Sequence, residues 1–134
     1  MKIPLKFQTT DYDCGTVSLI NALSYLYERE EIPAELLRGI ELYSLDEYGN
    51  KFDAGSGGTS KEAMSHITRW INNYSSKNDF DLCAVKLEES DVNQENISKY
   101  LKKGAVIVAR YYMMGAHYSI ITKEDDENLY IFDT

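Results

Sequence analysis

A chain of 134 residues, 43% hydrophobic and 27% charged, is sized for one domain with a modest core, here residues 1–134 taken whole. Its formal net charge of −8 argues against nucleic acid or an anionic membrane surface as the main partner and is compatible with a neutral or basic peptide. Two cysteines, Cys14 and Cys83, without CxxC or clustered His/Cys spacing, make neither a disulfide framework nor a zinc site. No stretch is apolar enough for a signal peptide or a bilayer span, so reduced thiols and no export signal point to the cytoplasm.

The first element is the strongest. FQTTDYDCGTVSLINALSYLY, residues 7–27, runs from a polar loop into a stripe of Thr16, Leu19, Ile20, Leu23, Leu26 and Tyr27, the i, i+3, i+4, i+7 pattern of a helix with one buried face. Cys14 precedes the stripe, so its sulfur is expected at the helix N-terminus, where unpaired N–H groups and the macrodipole favour a thiolate. Gly15 permits close approach, and Gln8, six residues upstream, carries an amide able to donate to an oxyanion. The bland alternative is a small buried hydrophobe at Cys14 and a surface amide at Gln8.

Further along, Pro33 is placed to open a second helix from its first position, with Leu36, Leu37, Ile40 and Tyr43 on its apolar face. Residues 45–60, rich in Gly and Asp, read as a long loop walling one side of a cleft; lacking a GK[ST] ending, it is no phosphate cradle. TSKE, residues 59–62, fits a capping box led by Thr59, and the helix after it carries Ala63, Met64, Ile67, Ile71 and Tyr74 inward, with Trp70 nearby. His66 falls outside that stripe and reads as an exposed helix histidine. Residues 80–87, FDLCAVKL, alternate as a strand would and make Cys83 a core residue of it. Residues 93–103 predict a short helix with Gly104 as its C-cap, and the runs AVIVARYY, HYSIITK and NLYIFD predict an antiparallel meander. The fold class is therefore α+β, a helical half followed by a sheet half.

The meander holds the second group of candidates. His117 opens a strand after Gly115 and Ala116, and Asp133 ends the next strand. Equal arms around the EDDE turn put the two side chains across from each other, where a carboxylate holds an imidazole's tautomer while the other ring nitrogen faces a nucleophile. Taken singly, a strand-end His and a turn Asp are more often structural; the combination with Gln8 and Cys14 is what is specific.

QTTDYDCG before an apolar helix, then GAHYSII and LYIFD, resembles papain-like cysteine peptidases, most of all the bacteriocin-processing double-glycine leader peptidase family and its stand-alone relatives. The resemblance implies a papain-like fold, with Gln8 as oxyanion donor, Cys14 as nucleophile, His117 as general base and acid, and Asp133 as orienting residue. It implies no metal or organic cofactor, a peptide or protein substrate, and association with an exporter or substrate-carrying partner. The match covers both ends of the chain; residues 30–87 match in element type alone. Relatives commonly continue Asp-Pro where this chain reads Asp133-Thr134, beside a terminus where fraying is expected. Tyr111, Tyr112, Met113 and Met114 are candidates for a subsite. The same constellation would serve an amidase or thiol acyltransferase, or a catalytically silent peptide-binding module.

Overall fold

Helix α1 spans Cys14–Tyr27 in a computed structural model that describes residues 5–10, 13–28, 32–46, 58–112 and 116–133. Its stripe buries Ile20 and Leu23 against Leu36 and Ile40 of α2 (Ala34–Ser44) and Ile67 and Ile71 of α3 (Lys61–Lys77) in one apolar cluster. Each such side chain is stabilised by roughly 1.5–3 kcal/mol on leaving water, the term that holds three short helices together. Trp70 caps the cluster, its ring 5.7 Å from that of Tyr74, and lies over Gly39, where a Cβ would collide with the indole. A buried pair of hydroxyls, Thr16 Oγ1 and Ser44 Oγ, meet at 2.6 Å and join α1 to the end of α2. Pro33 stands as N-cap of α2, one position before the first helical residue where the sequence had placed it.

The cap of α3 is likewise displaced by one residue from the expected box. Ser60 accepts from the Ala63 N–H at 3.0 Å, and the Asp46 carboxylate accepts from both the backbone N–H and the hydroxyl of Ser60. Thr59 cannot take that role because it is 4% exposed and packed against Gly15 of α1.

Residues 80–88 form no strand, although their alternation suggested one. Their backbone finds other partners: the Asn72 amide of α3 donates to the Ala84 carbonyl at 2.9 Å and accepts from the Ala84 N–H at 2.8 Å, and Tyr27 donates to the Asp81 carbonyl. The period-2 pattern arises because Phe80, Leu82 and Ala84 turn toward the helical core while the residues between them face out. Cys83 is one of the outward residues, exposed rather than in the core.

Helix α4 (Gln94–Lys102) starts where the Asn93 side chain accepts from the Asn96 N–H at 2.8 Å. It ends at Lys103, followed by Gly104, whose φ of 87° gives the left-handed turn that closes helices. Three strands follow, β1 (Ile107–Tyr112), β2 (Ala116–Glu124) and β3 (Leu129–Phe132), antiparallel in that order with β2 central. Four helices and a three-stranded antiparallel sheet make the architecture of the described residues α+β. Helix α1 packs on β2 and β1 as well as on α2, and α4 rests on the same two strands. None of these helices is long and apolar enough to cross a membrane. Most of the glycine-rich loop, residues 47–57, and Met113 and Met114 lie outside the described residues.

Candidate active site

Two contacts bring the candidate segments together. At the first, a Cβ on Gly15 would lie 2.9 Å from Thr59 Cβ and 3.2 Å from Tyr118 Cδ2. The residues that follow Cys14 and His117 in sequence thus touch, and the Tyr118 hydroxyl fixes the junction by donating to the Thr59 carbonyl at 2.9 Å. At the second, Phe7 and Phe132, the residues that precede Gln8 and Asp133, bring their ring centroids to 5.4 Å. Aromatic contacts at this separation add about 0.5–1.5 kcal/mol beyond burial.

Cys14 is the first residue of α1 and 7% exposed. Asp13 before it does not cap the helix with its side chain. Its carboxylate turns back instead, accepting from the Thr9 N–H and hydroxyl at 3.3 Å each and from the Thr10 N–H at 3.2 Å. That folds the loop carrying Gln8 over the helix end and keeps the Asp13 carboxylate off the first N–H groups of α1, the place where a helix attracts negative charge. Gln8 Nε2 donates to the Thr10 carbonyl at 2.6 Å. The loop is further tied down by Asn21, 1% exposed, which accepts from the Lys6 N–H and donates to the Lys6 carbonyl, both at 2.8 Å.

His117 Nε2 and Asp133 Oδ1 are 2.5 Å apart, with side-chain exposures of 19% and 50%. This is the one ion-pair contact among the described residues. Tyr111, opposite His117 on β1, sets its ring edgewise to the imidazole at 5.5 Å. With Nε2 on the carboxylate, Nδ1 is the ring nitrogen left for other chemistry. Among the described residues His117 is hydrogen-bonded to Asp133 and not to Cys14.

The carboxylate's aim depends on an irregularity. Next to the turn, Glu124 pairs with Leu129 and Lys123 with Tyr130; farther on, Ile121 pairs with Ile131 and Ile120 with Phe132, so the register shifts by one residue at Thr122. Side chains alternate faces along a strand, so one residue of slip moves a side chain to the other face. An unbroken ladder from the turn would set Asp133 opposite Ile120, on the face of Tyr118. The shifted one, continued by a residue, sets it opposite Ser119, on the face of His117.

The remaining titratable candidates lie elsewhere. His66 is exposed on α3 with Tyr43 edgewise at 4.5 Å, and Cys83 is on the far segment already described. No group of three or more His, Cys, Asp or Glu side chains gathers as metal ligands among the described residues. Tyr118, Asn21 and Thr122, which position the candidates, were not among the expected site residues, and Thr59 was expected only as a helix cap. Asn21 had a visible signal, a polar residue inside the buried face of α1 two turns after Cys14; the slip at Thr122 had none.

No protein-family model, curated protein or solved structure matches this chain.

Proposed function

We propose that the chain is a papain-like cysteine peptidase that hydrolyses a peptide bond with Cys14, His117 and Asp133, with Gln8 as oxyanion donor. The observation that carries this reading is the His117 Nε2–Asp133 hydrogen bond on the strand whose next residue packs against the N-terminus of α1. A carboxylate on one ring nitrogen fixes the tautomer and leaves Nδ1 to exchange a proton with a thiol. The Cys14 thiolate attacks the scissile carbonyl carbon, forming the S–C bond. The Cys14 backbone N–H and a Gln8 amide hydrogen, redirected from the Thr10 carbonyl, stabilise the oxyanion. The His117 imidazolium gives its Nδ1 proton to the leaving amine as the C–N bond breaks. It then takes a proton from the water whose oxygen bonds the thioester carbon, and as the C–S bond breaks the acid product leaves and the Cys14 thiolate is regenerated beside the imidazolium. The two unpaired cysteines fit a reducing, cytoplasmic setting.

The burial of Cys14 and the engagement of the Gln8 amide with Thr10 favour one other reading, a module that binds a peptide without cleaving it. Iodoacetamide alkylation of Cys14 against pH, in Cys83→Ser protein with and without His117→Ala, separates the two. A thiolate fraction at pH 6 that disappears with His117 is expected. An ordinary thiol titration near about pH 8.5, indifferent to His117, would replace the peptidase reading by the binding module.

A further inference from the structure

Every lysine and arginine among the described residues is solvent-exposed except Arg110. Its Nε is buried with no hydrogen-bond partner, its guanidinium lies 5.4 Å over the Tyr112 ring, and the hydroxyls of Tyr112 and Tyr118 stand beside it. No carboxylate among the described residues pairs with it, in a chain whose formal charge is −8. A buried donor without a partner is destabilising, so such a group calls for an explanation. Tyr112 and Tyr118 take up part of this guanidinium's donor set, and the donor left without a partner is the Nε–H. The Nε–H and the Nη–H parallel to it are the pair that a guanidinium offers side-on to the two oxygens of a carboxylate.

The position gives the edge a purpose. Arg110 pairs directly with Tyr118 across β1 and β2, and the Tyr118 ring packs against Gly15, the residue after Cys14. We infer that Arg110 is a specificity residue that binds a carboxylate of the peptide substrate, held on the Tyr118 side of the sheet beside the nucleophile. The inference rests on the peptidase reading for its substrate but not for the anion site itself. The two sources of a carboxylate in a peptide are an acidic side chain and the chain's own C-terminus. The negative field of the whole protein opposes either at long range, so recognition depends on the short-range fork and not on steering.

The test uses two thiol reagents of similar size and different charge. In Cys83→Ser protein, the ratio of Cys14 alkylation rates with iodoacetate and with iodoacetamide is measured for Arg110, Arg110→Lys and Arg110→Gln. Because both reagents report the same thiol, the ratio cancels changes in the thiol itself. The expected result is a ratio about tenfold lower in Arg110→Gln, the size of one charge-assisted contact, with Arg110→Lys between. An equal ratio in all three overturns the proposal and makes Arg110 a strut between tyrosines. Where Arg110→Gln does not fold, Arg110→Lys and competition by acetate against iodoacetate in the parent protein carry the same decision. If Cys14 is inert to both reagents the peptidase reading fails, and the anion site is read from melting instead. Acetate raising the melting temperature over chloride of equal ionic strength, in the parent and not in the variant, supports it; the same response in both overturns it. Protection of Cys14 by acetyl-Gly-Glu-Gly-amide or by acetyl-Gly-Gly-Gly with a free carboxylate identifies the source; protection by neither overturns the substrate assignment.

Discussion

Asp133 meets His117 diagonally across β2 and β3, two positions from the residue that stands opposite it, Ser119, when the ladder is continued. Diagonal neighbours on one face lie within reach of long side chains, whereas residues on opposite faces do not meet at all. The slip at Thr122 decides which case applies.

That dependence can be tested by two deletions. Removing Thr122 takes out the extra residue and leaves Ile121–Ile131 and Ile120–Phe132 paired as before, so the His117–Asp133 bond is expected to persist. Removing Ile131 advances Phe132 opposite Ile121 and Asp133 opposite Ile120, on the wrong face. Nitrogen-15 shifts and the downfield imidazole proton of His117 are the measurement. They should be retained in the first deletion and lost in the second, as in Asp133→Ala. Retention in both would show that register does not aim the carboxylate.

Gly15→Ala places a methyl 2.9 Å from Thr59 Cβ and 3.2 Å from the Tyr118 ring. Overpacking of this kind costs about 1–3 kcal/mol. Urea denaturation should show that loss with little change in the slope. Adding Thr59→Gly, which removes the nearer obstruction and leaves the Tyr118 ring, should make the double variant less destabilised than the sum of the two singles.

The β2–β3 turn carries a pH dependence of its own. The Tyr130 hydroxyl, at 2.6 Å, and then the N–H groups of Glu127 and Asn128, at 2.9 and 2.7 Å, hold the Asp125 carboxyl below its usual range. A depressed folded value means that the stabilisation is fully present above the unfolded aspartate range, about pH 3.9, and is lost as pH falls through the lower folded value. The same contact raises Tyr130, chiefly through the Asp125 carboxylate. Its stabilisation is present below about pH 10 and is lost as pH rises through the raised folded value. Tyr130 ring shifts, followed by NMR, should therefore move at both extremes, and Asp125→Asn should abolish the acid-side change. An unchanged acid titration in that variant would mean that another group controls the turn.

Much of the architecture was legible because it rests on local rules. The stripe from Thr16 to Tyr27, the Leu36 and Ile40 face, the short helix before Gly104 and the left-handed Gly104 are each fixed by residues within a few positions. The failures came where distant residues decided. Residues 80–87 have a strand's alternation, but hydrogen bonds from Asn72 claim their backbone; Thr59 has a capping residue's chemistry, but Gly15 and Tyr118 bury it. Within the candidate site, the pairing of His117 with Asp133 was expected from equal arms around the turn, a count that on a regular ladder leads to Ile120 instead. Thr122 has nothing in its composition to mark a slipped ladder.

The grip of Asn21 on Lys6 separates the molecule into parts of unequal permanence. His117 belongs to a sheet locked by its own ladders, with Asp133 one residue past its last strand, and Cys14 to the central helix. Gln8 belongs to an arm whose fastenings among the described residues include one side-chain amide at its root, an aromatic contact and the turn around Asp13. Such an arm can lift away while everything else stays folded. Exchange of the Lys6 amide proton, faster than that of the β2 amides, would be the sign of it, and the surface it uncovers would be the flank of α1 beside Cys14.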